Sequence, residues 1–135
     1  VEGTFEDGKL KSIKTVNNEA TEFEADNFIL ATGSFFSKGI VASQNGVVEP
    51  VFGLDVDADP ERTNWYERNV FEAQPYMKFG VAADENFRAK KDGKTVENLY
   101  VVGSVLSGFN AIKEGCGAGV SILTALNAAD QIVNL

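Results

Sequence analysis

The sequence predicts an α/β fold, on three observations. A short apolar run closed by glycine occurs twice, in NFILATG over 27–33 and in LYVVG over 99–103, and each reads as a buried strand. The second run passes through a turn holding Gly115, Gly117 and Gly119 into one amphipathic helix. The opening third breaks into short segments parted by turn dipeptides, as an antiparallel meander does.

Element by element, residues 1–6 form a first strand, and Asp7-Gly8 is a two-residue hairpin signal. A second strand carries Leu10, Ile13 and Val16 and ends at Asn17-Asn18. A third spans about residues 21–25, with Phe23 on one side and Glu22 and Glu24 on the other. The apolar run at 27–33 follows. The middle, from 34 to about 88, has no regular period but holds most of the aromatic residues, including Phe35, Phe52, Trp65, Tyr76 and Phe79. A disordered linker would be aromatic-poor, so this is a folded excursion. It contains a short helix over 61–68, with Asp59 as cap and Pro60 at its first position. Residues 90–94 form a turn. The last helix runs from about 118 to 134, and Ile122, Leu126, Ala129 and Val133 recur on one apolar face.

A chain of 135 residues, 44% apolar and 24% charged, matches one globular domain. It does not begin with Met, so the native N-terminus is expected to lie elsewhere. Neither a secretory signal nor an apolar run of membrane-spanning length is present. A net charge of −8 repels nucleic-acid phosphates and anionic lipid, although one local basic pocket can still hold a small phosphorylated ligand. One cysteine, Cys116, permits no internal disulfide and suits a reducing compartment. The absence of histidine removes Ser-His-Asp and Cys-His catalysis and argues against zinc.

The Gly-rich turn before the last helix is the strongest chemical signal. A helix start offers unpaired N–H groups and the positive dipole end, and glycines let a ligand approach them. The same pattern also serves as a plain packed connection. Neither a P-loop nor a G-x-G-x-x-G dinucleotide fingerprint is present.

Taken together, FILATGSFFSKGI and NLYVVGS with GCGAGVSILTALNAADQI resemble the C-terminal part of two-dinucleotide-fold flavoproteins. More closely, ATGSFFSKGIVA, EPVFGLDV, RTNWYERNVFEAQPYMKFGVAAD and the block over 98–132 resemble the family of B subunits of anaerobic glycerol-3-phosphate dehydrogenases. The resemblance covers nearly all of this chain and about the last third of that family's length. It implies a partial flavin-binding, Rossmann-like domain whose phosphate loop lies upstream. It implies FAD or FMN as cofactor, and oxidation of sn-glycerol 3-phosphate to dihydroxyacetone phosphate by the whole enzyme. Electrons would pass to quinone through an iron–sulfur, membrane-anchoring partner, beside a second flavoprotein partner. The location implied is cytoplasmic, at the inner face of the bacterial membrane through a partner. Another FAD oxidoreductase of fumarate-reductase type and a non-catalytic scaffold remain alternative readings.

On this reading, 1–33 form the meander and a returning strand of the flavin domain. The excursion, 34–94, is a substrate or interface region. Residues 95–135 supply the last strand, loop and helix. The resemblance points to Thr32, Gly33, Gly103, Ser104, Gly115, Gly117, Ala118, Gly119 and Val120 as cofactor-facing. Arg62, Arg68, Lys38 and Asn110 are candidates for substrate, since a phosphate needs fixed cations or donors. Asn110 and Glu114 are equally fitted to cap a turn. Cys116 between glycines reads as a small filler rather than a redox centre. The fragment alone is expected to lack activity, bind flavin weakly and self-associate.

Overall fold

The structure is a computed structural model and describes residues 1–16 and 19–134. The expected turn at Asn17-Asn18 lies outside the described residues. Strands β1 (Glu2–Glu6), β2 (Lys9–Lys14) and β3 (Glu22–Glu24) form the antiparallel meander in that order. Strand β4 (Phe28–Leu30) follows. The 34–88 region contains β5 (Val41–Ser43), β6 (Gly46–Val48), β7 (Val56–Asp57) and β8 (Gly80–Val81), then β9 begins (Arg88–Lys91). Strand β10 (Lys94–Val101) leads to a short helix α1 (Ala111–Glu114) and the long helix α2 (Gly117–Val133).

Two turn dipeptides did what their residues demand. Asp7-Gly8 and Asp92-Gly93 all take positive φ, the geometry that matches the twist of a two-residue hairpin. They join β1 to β2 and β9 to β10.

The central sheet has the order β4-β10-β9. Strand β4 runs parallel to β10, with Phe28 opposite Leu99, Ile29 opposite Tyr100 and Leu30 opposite Val101. The Val102 N–H extends the ladder to the Leu30 carbonyl at 3.0 Å. Successive β10 side chains point to opposite faces. Leu99 and Val101 join one core with Leu10, Leu30, Ile40, Phe52 and Val81. Tyr100 and Val102 pack on the other face with Ala128 and Ile132 of α2. Burial on both sides is why LYVV is continuously apolar.

The middle is more ordered than its sequence suggests. Strands β5 and β6 form a hairpin, and Val56 and Asp57 of β7 pair with β8. The buried Glu49 carboxylate organises the turn between them, accepting from the Val51 and Phe52 N–H groups at 2.8 Å each. This accounts for a glutamate inside an otherwise apolar EPVFGL segment.

Two expectations are corrected. The helix over 61–68 is only a single 3-10 turn, Arg62–Asn64. Asp59 does bond the Glu61 N–H, at 2.8 Å, but Trp65 ends the turn. Its ring is buried edge-on against Phe79, and its indole N–H reaches back to the Asp59 carbonyl at 2.6 Å. Beyond it the Glu67 N–H goes to the Gln74 side chain rather than to a carbonyl one helical turn back. The second correction concerns α2. The face packed on the sheet carries Thr124, Ala128 and Ile132, while Ile122, Leu126 and Val133 of the expected apolar face are exposed. Close approach of helix to strand favours small residues at the contact, so the larger ones point away.

Candidate functional site at the carboxyl ends of β4 and β10

Parallel strands of an α/β sheet deliver their following loops to the same edge, and ligands bind there. Here β4 delivers Thr32 and Gly33, and β10 delivers Gly103 and Ser104. Both glycines take positive φ, +82° for Gly33 and +73° for Gly103. The two loops touch: a Cβ on Gly33 would collide with Ser37 Oγ and lie 3.6 Å from Ser104 Oγ. Gly39 packs on the same turn, and its missing side chain leaves room for the Gly33 carbonyl.

Helix α2 is docked on this edge by hydrogen bonds. The buried Gly103 N–H donates to Thr124 Oγ1 at 2.9 Å, and that hydroxyl donates to the Val120 carbonyl at 2.6 Å. A Cβ on Gly103 would meet Ser121 Oγ at 3.4 Å. So the first two turns of α2 lie against the end of β10. The start of α2 has no side-chain cap and no acidic residue in its first turn. Its leading N–H groups and positive dipole end are thus uncompensated. Ala118 and Gly119 are exposed, and a Cβ on Gly119 would meet nothing within 4 Å.

A cleft of about 270 Å³ opens beside Ser34 and Ser104, lined also by Phe35, Phe79, Phe109 and Ala111 among others, while Gly119 and Val120 line a separate hollow of about 520 Å³ that shares Leu106 and Phe109 with it. A larger, more polar hollow of about 1110 Å³ lies beside Asp26, Asn27, Glu97 and Asn98. Those residues sit toward the amino end of β4, the wrong end of parallel strands for a ligand. Thr32 Oγ1 is buried and has no hydrogen-bond partner.

The structure therefore gathers Thr32, Gly33, Gly103, Ser104 and Val120 at one edge, with Gly117 joined to it through Ala111, 3.3 Å from a Cβ on Gly117. Gly115 terminates α1 in the left-handed conformation, and a Cβ there would meet nothing within 4 Å. Asn110 caps α1, its side chain accepting from the Lys113 N–H at 3.0 Å, while Glu114 accepts from the Asn110 N–H at 3.0 Å. Cys116 is half-buried, with its thiol 3.8 Å from the Glu114 carboxylate. Lys38 closes the turn after Gly33 in a left-handed conformation and is exposed. Arg62 stands in an adjoining hollow, and Arg68 lies on the loop beyond, so the two share no helix. Among the described residues no cluster of side chains is suited to a metal ion.

Sequence reasoning missed Gly39 and Thr124. Thr124 had a legible signal: it begins a stripe of Thr124, Ala128 and Ile132 four residues apart. Gly39 had none, because its role depends on where Gly33 lies.

Residues 5–120 match the family model described as FAD binding domain. The B subunit of anaerobic glycerol-3-phosphate dehydrogenase from Vibrio cholerae serotype O1 (strain M66-2) is 42% identical over 135 residues, 98% of this chain and 31% of that protein. The protein of the same name from Pectobacterium atrosepticum is 51% identical over 109 residues, 81% of this chain and 26% of that protein. The one from Yersinia enterocolitica is 41% identical over 126 residues, 93% of this chain and 30% of that protein. The chain thus spans under a third of the length of these relatives. No solved structure matches. With the match running through both glycine-closed strands and into α2, the chain belongs to the FAD binding domain family.

Proposed function

We propose that this chain builds the flavin-ring end of an FAD site in a subunit of an anaerobic glycerol-3-phosphate dehydrogenase. The observation that carries the reading is the uncapped start of α2, held by Thr124 against the Gly103 end of β10, beside the Gly33 loop. The donor set fits a flavin. Open N–H groups at 117–119 suit the electron-rich carbonyl edge of the ring, and the orphaned Thr32 hydroxyl is a free polar atom within the same edge of the sheet. Thr32, Gly33, Gly103, Ser104, Gly117, Ala118, Gly119 and Val120 are the residues that would hold it. Gly115 supports the loop, and Asn110 serves through capping.

When bound, the flavin supplies hydride and electron transfer. The chain's own part is to fix the ring's polar edge, to keep water from its face with Phe35, Phe79 and Phe109, and to leave that face open to substrate. The ADP half needs a phosphate loop that these residues do not supply. The whole enzyme is read as oxidising sn-glycerol 3-phosphate to dihydroxyacetone phosphate, with quinone as acceptor. A second flavoprotein and an iron–sulfur, membrane-anchoring protein are its proposed partners at the cytoplasmic face of the membrane. Among the described residues no helix is long and apolar enough to cross a membrane, so a partner would provide the attachment. The division into 1–33, 34–94 and 95–135 is proposed as flavin, substrate and flavin segments. β9 is the strand that the middle segment lends to the central sheet.

The test is the full-length subunit purified with and without Gly119→Val. Yellow wild-type protein bleached by glycerol 3-phosphate but not by succinate, and a colourless folded variant, are expected. A colourless wild type, or a variant with full flavin content, overturns the reading.

A further inference from the structure

Arg62 occupies an unusual place in an acidic chain. Its guanidinium lies 5.2 Å over the Trp65 ring, and one of its nitrogens is 3.4 Å from the Ser43 carbonyl. Among the described residues it makes no ion pair, although acidic residues outnumber basic ones 20 to 12. It lines a hollow of about 400 Å³ with Phe35, Ala42, Trp65, Tyr66 and Tyr76. Phe35 and Tyr76, which touch edge-on with ring centroids 6.0 Å apart, also line the cleft at the strand ends. So the two hollows are neighbours parted by one aromatic pair.

The cleft itself has no charged lining residue. An anionic substrate seated there must find its cation next door. Two hollows share Tyr76 with the cleft. The one holding Lys113 also holds Glu72, which opposes an anion. The one holding Arg62 has no acid. Trp65 is buried and tied to the Asp59 carbonyl, so the surface on which Arg62 rests is fixed. Stacking leaves the guanidinium edge donors other than the one on the Ser43 carbonyl free, and a guanidinium fork matches phosphate oxygens.

We propose that Arg62 is the anchor for the phosphomonoester end of the substrate, which sits in the Trp65–Tyr66–Tyr76 hollow while the carbon chain reaches past Phe35 toward the cleft. This rests on the proposed flavin role of the cleft and names the residue that selects a phosphorylated substrate over the free alcohol.

Trp65 is the chain's only tryptophan, so its emission reports on Arg62 directly. The chain is titrated with glycerol 3-phosphate, glycerol and ADP while Trp65 fluorescence is followed. A saturable change with glycerol 3-phosphate and none with glycerol is expected. Arg62→Gln should weaken the midpoint by about tenfold or more, the loss typical of a charge-assisted bond, with Arg62→Lys between the two. Lys113→Gln should leave it in place. No saturable response, an unchanged midpoint in Arg62→Gln, or tighter binding of ADP (which would assign the site to the dinucleotide pyrophosphate) overturns the proposal. None of these titrations uses flavin or turnover, so their failure is separate from failure of the flavin reading.

Discussion

Asn98 holds Leu10 by both of its backbone groups. The Asn98 side-chain oxygen accepts from the Leu10 N–H at 2.8 Å, and its amide nitrogen donates to the Leu10 carbonyl at 2.8 Å and to the Asp26 carbonyl at 2.9 Å. One buried side chain thus acts as a strand edge, tying the meander to β10 across 88 residues.

Replacing Asn98 by Leu should therefore be costly. It leaves the buried backbone N–H and carbonyl of Leu10 without their partner, at about 1–3 kcal/mol for each unsatisfied group. A loss of about 3 kcal/mol is expected in urea unfolding, and a loss below about 1 kcal/mol would mean that water replaces the amide.

Thr32 separates structural from ligand-directed roles. A buried hydroxyl without a partner costs about 1–3 kcal/mol in mutational data, so Thr32→Val should raise the thermal midpoint of the flavin-free protein. The same change should lower flavin content of the full-length subunit. A variant neither more stable nor poorer in flavin would show that the hydroxyl is solvated.

Gly119 and Gly39 should respond oppositely to alanine. Gly119 has open space and lies in a helix, so alanine there should add about 0.5–1 kcal/mol while obstructing approach to the helix start. At Gly39 a Cβ would run into the Gly33 carbonyl, so alanine should both destabilise and displace the Gly33 loop. Chemical denaturation separates the two by the sign of the change, flavin absorbance should fall in both, and undiminished flavin content in the Gly119→Ala variant would refute the placement of the ring.

The outward face of α2 should drive self-association of the isolated chain. Ile122, Leu123, Leu126 and Val133 are exposed there, and burying such surface is worth about 25 cal/mol per Å². Like charge opposes this, so light scattering should show association rising with salt as repulsion is screened. The pair Leu123→Ser and Leu126→Ser, which leaves net charge unchanged, should restore a monomer. Wild type that is monomeric at every salt level would place no stickiness on this face.

Much of the frame was legible in the residues. Asp7-Gly8 and Asp92-Gly93 can close only tight hairpins, and NFILATG and LYVVG can be little else than strands ended by glycine. The Gly-rich start of α2 was legible because glycines directly before an apolar stretch of helical period mark a helix terminus that a ligand can approach. These signals are local: each depends on the φ preferences and polarity of a few neighbouring residues.

What the tertiary structure decided was which local signals meet. The helix over 61–68 was lost because burying Trp65 against Phe79 outweighed the weak preference of eight residues for a helix. The face of α2 was chosen by contact, since a strand packed closely beneath a helix admits Thr124 and Ala128 but excludes Leu126. Arg62 became distinct from Arg68 only when Trp65 fixed its platform beside Phe35 and Tyr76. A residue type states what chemistry is available, but pairings such as Asn98 with Leu10 or Gly103 with Thr124 join distant parts of the chain. Their energy comes from burial and hydrogen bonds that exist only once the chain has closed, so they leave no local mark in the sequence.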